Sequence, residues 1–392
     1  MNDFIYYSPT KVFFGKDKLE KTGEYVKAFG AKKILIHYGS ERIAGSGLLT
    51  EIMKSLDAAG IHHLSLGGVV PNPRITLVRE AADLVRKENI DFILAVGGGS
   101  AIDSAKGIAM AAANDCDIWD IMLRKTAPVH ILPMGSVLTL SASGSETSRF
   151  IVLSSEDGSI KQGFNHEMLR PAFTIMDPRL MYTLPPYQTA AGITDIMMHT
   201  IERYFLPGGG ELTDRFAEEL IRVTARYGWK CMEEPENYEA RSEVMWAGSL
   251  SHDDLTGLGR AGAFACHNME YVLSAKYDVA HGAGLAAIWA SWARAVYRTD
   301  VMRFARYAVK VWDLPMDFRI PEKTALEGIQ VTEDYFRSIG MPITLSELIG
   351  YAIPDEDIED LADRCTKKGT VKIGDYCPLD RDQVAAIYRQ AR

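Results

Sequence analysis

The sequence predicts an α/β domain over residues 1–184 and an all-α domain over residues 185–392. In the first half, short apolar runs rich in β-branched residues alternate with amphipathic segments. This pattern is typical of a mostly parallel sheet that helices cover on both faces. Near Thr183-Leu-Pro-Pro186 the β-branched runs become scarce, and helical periodicity dominates the rest of the chain. We therefore place the domain boundary at about residue 184.

Short apolar runs bounded by glycine or polar residues predict the strands of the first domain. In chain order these strands cover residues 33–37, 61–69, 92–96, 129–132, 150–153 and 173–176. Three segments between them have helical spacing, namely residues 48–59, 74–88 and 100–114. The first stops at Gly60, the second is strongly amphipathic and the third is rich in alanine, so we expect each to be a helix.

Helical spacing of apolar residues predicts the elements of the second domain, and Pro207-Gly-Gly-Gly210 marks the end of one helix. The predicted helices cover residues 187–205, 212–232, 239–255, 260–277 and 284–297. More helices follow, separated by prolines 315, 321, 342 and 354.

Composition excludes several classes of protein. The net charge of −9 argues against non-specific nucleic-acid binding, and no apolar run approaches the ~20 residues of a membrane span. The 5 cysteines are odd in number and lack CxxC spacing, which argues against a disulfide framework or a thiolate zinc site. Because the N-terminus also lacks the pattern of a signal peptide, we expect a cytoplasmic protein that binds neither nucleic acid nor membrane.

A run of glycines, Gly97-Gly98-Gly99-Ser100, lies between a predicted strand and a predicted helix. Glycine lets the backbone approach an anion, and the N–H groups at a helix start favour negative charge, so a pyrophosphate is a natural ligand. The dinucleotide fingerprint GxGxxG is absent, and the alternative is a tight turn that requires glycine. Asp103 and Lys106 follow one helical turn apart, either as a solvated ion pair or with Asp103 facing a ligand.

Two further segments of the first half are candidates for nucleotide binding. Residues 138–146 place hydroxyl side chains around Gly144, which either bind a ribose or amide or form an ordinary polar loop. After the first predicted parallel strand come Gly39, Ser40, Glu41 and Arg42. In dinucleotide folds an acidic residue at such a strand end binds the ribose hydroxyls, whereas an arginine accommodates a 2′-phosphate. Gly39, Ser40 and Arg42 therefore favour a phosphorylated ribose, although Glu41 would repel phosphate if it faced inward.

The second half contains a possible metal site. Asp195 and His199 are four residues apart in a predicted helix, so they project from one face. The alternative is a local hydrogen bond between them. His267, predicted to lie mid-helix, and His281, before a glycine-rich turn, complete a donor set suited to Fe(II) or Zn(II). Neighbouring helix residues point about 100° apart, so Cys266 is predicted to belong to the core.

These signals occur in one order along the chain, and that order resembles the iron-containing (group III) alcohol dehydrogenases, within them the butanol dehydrogenase-like branch. The similarity extends from residues 7–15 to the C-terminal helices. Each motif is weakly specific alone, and the ordered set is specific. The motifs are Pro71-Asn-Pro73, Gly97-Gly-Gly-Ser-Ala-Ile-Asp-Ser-Ala-Lys106, Asp117-Ile-Trp-Asp120, Ser143-Gly-Ser-Glu146, Asp177-Pro178, Thr183-Leu-Pro185, Gly192-x-x-Asp195-x-x-x-His199-x-x-Glu202, His267 and His281-Gly282.

The resemblance implies a dehydroquinate synthase-like fold, with an N-terminal dinucleotide-binding domain, a C-terminal metal-binding domain and the site in the cleft between them. It implies one Fe(II) or Zn(II) held by Asp195, His199, His267 and His281. It also implies a dinucleotide that contacts Gly98, Gly99 and Ser100 through its pyrophosphate, lies near Asp103, Thr139 and Lys161 at its nicotinamide end, and passes Asn72. From Gly39, Ser40 and Arg42 we expect NADP(H) to be preferred over NAD(H).

One position departs from the family pattern. Members usually carry a second histidine four residues after the ligand at His267, beside the substrate, and this chain has Tyr271 there. Tyrosine has an unperturbed pKa near 10, which makes it a poorer proton relay at neutral pH than histidine. We therefore count Tyr271 among the candidate catalytic residues.

The resemblance implies hydride transfer between the nicotinamide and a small primary alcohol or aldehyde, with the metal polarising the substrate oxygen, in a homodimer. Two alternatives remain open. A lyase or synthase of the dehydroquinate synthase type needs basic residues for a phosphorylated acidic substrate, and few lie near the histidines. A non-catalytic relative is suggested by Tyr271, but the four apparent ligands argue against it.

Overall fold

The structure is a computed structural model that describes residues 2–39 and 41–392. It divides into two compact units, Tyr7–Thr183 and Leu184–Arg392, and the residues before Tyr7 group with the second. The division after Thr183 lies beside the boundary placed from the sequence. The grouping of the N-terminal residues has no signal in the sequence; it includes a hydrogen bond of 3.2 Å from the Tyr6 hydroxyl to Asp253 Oδ2.

A parallel sheet forms the centre of the first unit. The strands of this unit are β1 (Lys11–Phe14), β2 (Lys33–Tyr38), β3 (His62–Leu66), β4 (Phe92–Gly97), β5 (Met134–Leu138), β6 (Phe150–Ser154), β7 (Lys161–Asn165) and β8 (Phe173–Met176). The sheet has the order β1-β8-β5-β4-β2-β3, and all of its neighbouring strands are parallel. Strands β6 and β7 form a separate antiparallel pair.

Helices connect these strands and bury the sheet. They are α1 (Thr22–Ala28), α2 (Glu41–Gly45), α3 (Leu48–Ala59), α4 (Ile75–Glu88), α5 (Gly99–Ala112) and α6 (Ile118–Met122). Ile34 and Ile36 of β2 pack in one cluster with Ile52 and Leu56 of α3. Leu35 points to the opposite face and is fully buried as well. Burial on both faces confirms the predicted parallel α/β architecture.

Two strand predictions were wrong in part. Residues 129–132 are not a strand, because the Asn114 side chain binds the backbone N–H of Val129 and the carbonyl of His130, while Leu132 N–H donates to Ala109 of α5. The strand begins after Pro133 instead. The predicted strand 150–153 exists as β6 but lies in the antiparallel pair. The sequence pattern also missed β1 and β7.

The second unit is helical, as predicted. Its helices are α7 (Pro186–Phe205), α8 (Glu211–Glu233), α9 (Tyr238–His252), α10 (Ala265–Tyr277), α11 (His281–Val296), α12 (Val301–Trp312), α13 (Pro321–Ser338), α14 (Leu345–Ile349), α15 (Asp355–Cys365) and α16 (Arg381–Gln390). Trp289 and Trp292 of α11 are buried in the core of this unit. No helix in the described part of the chain combines the length and apolar character needed to cross a membrane.

Two helix starts differ from the prediction by three residues or more, and both concern candidate site residues. Helix α10 begins at Ala265 rather than at residue 260, because Ala263 N–H donates to Asp375 Oδ2 at 2.6 Å and Ala263 O accepts from Asp375 N–H. Helix α11 begins at His281, three residues before the predicted start.

Candidate metal centre

One face of α7 carries three buried polar side chains, those of Asp195, His199 and Glu202. Pro186 occupies the first turn of this helix, where its missing N–H and fixed φ are tolerated. Intervals of four and three residues place the three side chains on one side of the helix. Each residue is at most 5% exposed. Polar groups buried to this extent require partners, which α10 and α11 supply.

The N-terminus of α10 brings His267 to this face of α7. Glu202 accepts hydrogen bonds from the backbone N–H groups of Cys266 at 2.8 Å and His267 at 3.0 Å, so its carboxylate satisfies two first-turn donors. His267 therefore lies in the first turn of α10, and the prediction that it lies mid-helix was wrong. Cys266 is fully buried in the core, as predicted.

Two glycines let the first turn of α11 approach both other helices. A Cβ atom on Gly282 would clash with the backbone carbonyl of Ala191 in α7. A Cβ atom on Gly284 would lie 2.9 Å from Cγ of Glu270 in α10. The segment His281-Gly-Ala-Gly284 thus has small residues where the helices meet, and this contact positions His281 at the same site.

Three donor atoms, one from each helix, converge at this site. Asp195 Oδ1, His267 Nε2 and His281 Nε2 lie close together, with Oδ1 at 3.8 Å from the first nitrogen and 3.7 Å from the second. The three residues offer ligand atoms that all lie within 4.8 Å of one another. Donors bound to one tetrahedral ion at ~2.0–2.2 Å lie roughly 3.4 Å apart, so these three atoms would have to move inward to occupy three positions of such a sphere.

Two of the three converging atoms, and one atom beside them, make no hydrogen bond to any residue that the structure describes. Asp195 Oδ1, His199 Nδ1 and His267 Nε2 are buried and accept or donate no hydrogen bond, which is rare for buried polar atoms. The other ring nitrogen of His267 is engaged, since Nδ1 lies 2.5 Å from Glu202 Oε2. A carboxylate oxygen with imidazole nitrogens is a donor set that Zn(II) and Fe(II) accept. The residues present therefore fit a divalent metal.

The electrostatics of the site reflect its burial. Burial raises the pKa of Asp195, but the nearby His199, His281 and His267 outweigh burial and hold that pKa below its usual value. Burial lowers the pKa of His199 well below its usual value. Burial also disfavours the charged form of His267, yet Asp195 and Glu202 raise its pKa to about 9. The cluster therefore favours positive charge beside Asp195, which a proton or a metal ion can supply.

His199 adjoins the converging group without belonging to it. Its Nδ1 lies 3.3 Å from Asp195 Oδ1, but its donor atoms are not part of the mutually close set. Its ring packs against His267 at 4.5 Å and against His252 at 4.3 Å between centroids. His252 is buried, and its Nδ1 lies 2.9 Å from Nη2 of Arg203.

Tyr271 lies next to the histidines. Its ring centroid is 5.7 Å from that of His281, with the rings 26° from parallel, and 6.5 Å from that of His267. The position one helical turn after His267 thus brings the tyrosine to the same face of α10, as its spacing predicts.

Sequence reasoning missed Glu270 and gave Glu202 no role beyond its motif. Glu270 is fully buried and follows His267 by three residues, on the same face of α10. A glutamate among the apolar residues Met269 and Leu273 was the available signal.

The glycine-rich turn of the first unit joins β4 to α5, as predicted. Helix α5 begins at Gly99, so Gly99 and Ser100 occupy its first turn. A Cβ atom on Gly97 would lie 2.6 Å from Cβ of Ala101, and one on Gly99 would clash with the Ser143 hydroxyl. A Cβ atom on Gly98 would lie 3.1 Å from Cβ of Leu140. Packing therefore requires small residues here, and the first-turn N–H groups of α5 give the turn its anion-binding chemistry.

Asp103 and Lys106 are buried, so the alternative of a solvated ion pair was wrong. Asp103 accepts hydrogen bonds from the Ser145 hydroxyl at 2.5 Å and from Val152 N–H at 2.9 Å. Lys106 donates to the carbonyls of Ser148 at 2.9 Å and Phe150 at 2.7 Å, and burial lowers its pKa to about 8. These contacts join α5 to the segment before β6 and to β6 itself.

The remaining cofactor candidates also lie in the first unit. Gly39 follows β2, and Arg42 Nη1 donates to the Thr183 carbonyl at 2.8 Å. Ser40 and the side chain of Glu41 lie outside the described residues. Asn72 has a left-handed backbone with φ of 55°, Thr139 is buried directly after β5, and Lys161 begins β7.

Two family models match the chain, one in each half. Residues 9–178 match the family model described as "Iron-containing alcohol dehydrogenase", and residues 189–392 match "Fe-containing alcohol dehydrogenase family, C-terminal".

Relatives and solved structures match the full chain. The NADH-dependent butanol dehydrogenase A of Clostridium acetobutylicum is 38% identical over 100% of both chains. The NADPH-dependent aldehyde reductase of Escherichia coli is 33% identical, also over 100% of both. The crystal structure of NADH-dependent butanol dehydrogenase A from Thermotoga maritima has a TM-score of 0.95 at 34% identity, covering 100% of this chain and 99% of that chain.

Proposed function

Because the chain belongs to the iron-containing alcohol dehydrogenase family, we propose that it is a metal-dependent alcohol dehydrogenase and aldehyde reductase for small primary alcohols and aldehydes. One observation carries the proposal: Asp195 Oδ1 and His267 Nε2, which are buried and make no hydrogen bond to a described residue, converge with His281 Nε2 from three helices. Relatives with full-length similarity are butanol dehydrogenases and an aldehyde reductase by name. The physiological substrate belongs to the same chemical class.

The proposed ligands are Asp195, His199, His267 and His281, and the proposed metal is Fe(II) or Zn(II). Such a cation acts as a Lewis acid on the oxygen of a bound alcohol or aldehyde. The protein holds the ligands on rigid helices, so the donor atoms remain in place while substrates exchange. For His199 the proposal requires a ring movement, because its nitrogens lie outside the converging set.

Tyr271 is the proposed substrate-facing residue. Its ring stacks beside His281, which places the side chain next to the proposed ligands, where a substrate would bind. With an unperturbed pKa near 10, a tyrosine hydroxyl is a weak proton donor at neutral pH. We therefore assign Tyr271 a role in substrate orientation and shape selection first, and in proton relay second.

The proposed second cofactor is a nicotinamide dinucleotide, which supplies or accepts the hydride. The first turn of α5 at Gly99 and Ser100, with Gly98 before it, is the proposed pyrophosphate site. Asp103, Thr139, Lys161 and Asn72 are the proposed neighbours of the rest of the dinucleotide. Asp103 would act there through Ser145, since both of its oxygens already accept hydrogen bonds.

We further propose that NADPH is preferred over NADH. Gly39 places no carboxylate at the end of β2, so nothing at that position repels a 2′-phosphate. Relatives use either cofactor by name, so the family alone does not decide the preference. Arg42, held by Thr183, is the proposed cationic partner of the phosphate.

The proposed assembly is a homodimer in a reducing, cytoplasmic compartment. Strand β1 lies at one end of the sheet order, and such an edge is a template for pairing with a second chain. Just before it, Phe4 and Ile5 are 49% and 92% exposed. All 5 cysteines are free, which suits a reducing compartment. Sedimentation of the wild type and of Ile5→Asp tests the dimer, which the substitution should weaken.

Reduction of butanal tests the proposed activity. Metal-free protein should oxidise neither NADPH nor NADH with butanal, and Fe(II) or Zn(II) should restore turnover. Butanal reduction by metal-free protein at the full rate would contradict the metal-dependent function, and no turnover with either metal would contradict the enzyme assignment.

A further inference from the structure

Two buried glutamates each contact the imidazole ring of one proposed ligand, on the side away from the proposed metal. Glu202 contacts His267, and Glu270 contacts His281, each through Nδ1 of the imidazole. We propose that Glu202 and Glu270 are positioning residues that fix these rings with Nε2 aimed at the metal. The inference rests on the metal site proposed above and assigns a role to two residues that do not ligate the metal themselves.

The Glu202 carboxylate is immobilised by three contacts. At the start of α10, the N–H of Cys266 donates to Oε1 and the N–H of His267 donates to Oε2. Oε2 also lies 2.5 Å from His267 Nδ1. Only 3% of the residue is exposed. Because the same group binds both the backbone and the ring of His267, it fixes the side-chain torsions of that residue as well as the helix start.

The Glu270 carboxylate is held differently. Oε2 contacts His281 Nδ1, Oε1 accepts a hydrogen bond from the Ser274 hydroxyl, and Gly284 leaves the space that its side chain occupies. Glu270 is fully buried. It therefore joins α10 to the first turn of α11 without capping either helix.

The contacts determine which ring nitrogen carries the proton. A carboxylate is an acceptor only, so Nδ1 of each ring must be the donor. In the neutral imidazole Nε2 then keeps its lone pair, and in both rings Nε2 is the atom that faces Asp195 Oδ1. Carboxylates in this position also raise the basicity of the ligating nitrogen, and their loss usually weakens metal binding 10- to 100-fold.

Metal titration of purified, metal-free protein tests the inference without using turnover. The variants are Glu202→Gln and Glu270→Gln, and the matched control is Glu218→Gln. Glu218 is equally buried in the same unit but pairs with Tyr204 and Arg306. Competition with a chelator gives the Zn(II) dissociation constant, and the visible absorption of bound Co(II) gives the ligand geometry.

We expect the Zn(II) dissociation constant to rise about 10- to 100-fold in both variants, with an altered Co(II) spectrum, and to stay within twofold in Glu218→Gln. Wild-type affinity and spectrum in both variants would overturn the inference while leaving the metal site intact. If the wild type itself binds no metal, the proposed function fails and the inference with it. Should Glu202→Gln lose helical content, Glu270→Gln decides, because its side chain caps no helix.

Discussion

Glu202 Oε2 lies 2.5 Å from Nδ1 of His267, and Nε2 of the same ring faces Asp195 Oδ1 at 3.8 Å. Glu202 and Asp195 both belong to α7, so one helix supplies a candidate ligand and also orients a ligand carried by another helix. The interval of seven residues between these two acids corresponds to two helical turns. The site is thus assembled around one face of α7.

Replacing Tyr271 by histidine should change catalysis without changing metal content. A histidine with an ordinary pKa near 6.5 donates a proton at neutral pH more readily than a phenol, so kcat for butanal reduction should rise about tenfold at pH 7. Tyr271→Phe, which keeps the ring and lacks the hydroxyl, is the control for the loss of tyrosine alone. Unchanged kcat, KM and pH profile in Tyr271→His would show that the residue does not face the substrate.

Replacing Gly39 by aspartate should reverse or abolish the preference for NADPH. We expect the wild type to prefer NADPH by at least about tenfold in kcat/KM, which equals roughly 1.4 kcal/mol. Among the described residues, an added Cβ at Gly39 would meet Val69 O alone, at 3.7 Å, which is an ordinary contact distance. Gly39→Asn, similar in size and uncharged, should keep the wild-type preference. Equal or better use of NADH by the wild type would refute the assignment.

Acid should destabilise the first unit through His37. This residue is fully buried between strands β2 and β3 and helix α5, with Nδ1 at 2.9 Å from Leu66 O and Nε2 at 2.8 Å from the Ser104 hydroxyl. Burial lowers its pKa from 6.5 to about 4, although the Leu66 carbonyl opposes this. At a pH between about 4 and 6.5, His37 is therefore protonated in the unfolded chain and neutral in the folded protein. The stabilisation is therefore complete above pH 6.5 and declines as the pH falls towards 4, by up to about 3 kcal/mol.

Hydrogen exchange of β2 amides at pH 7 and pH 4.5 measures this effect as a free energy of opening. His37→Asn should be less stable at pH 7 but should lose a smaller further amount on acidification than the wild type. His62→Asn, at an exposed position on the edge strand β3, should follow the wild-type pH dependence. Parallel pH dependence in wild type and His37→Asn would refute the explanation.

Local sequence pattern predicted most of the fold because most elements depend on local periodicity. Helix α3, residues 48–59, was predicted to the residue. The predicted strand and helix bounds are wrong where a side chain distant in sequence forms hydrogen bonds with the backbone. Asn114 binds residues 129 and 130 and prevents a strand there, and Asp375 binds Ala263 and delays the start of α10. No pattern within either segment contains that information.

In the candidate site, too, the sequence predicted what depends on spacing along one helix and missed a contact between helices. Asp195 and His199 follow from helical spacing, since both lie on α7. The pairing of Glu270 with His281 depends on how α10 packs against α11, and the burial of His252 beside His199 depends on the packing of α9 against α7. Spacing along one helix cannot reveal contacts between helices, so the pairing of Glu270 with His281 became visible only in the structure.

Calorimetric titration of metal-free wild type and of His267→Ala with Zn(II) tests the central claim most directly. Circular dichroism should show the same helical content in both proteins. We expect the wild type to bind one equivalent, and His267→Ala to lose that binding and its butanal reductase activity, because no neighbouring side chain replaces an imidazole held by Glu202. Wild-type stoichiometry, affinity and turnover in His267→Ala would contradict the account.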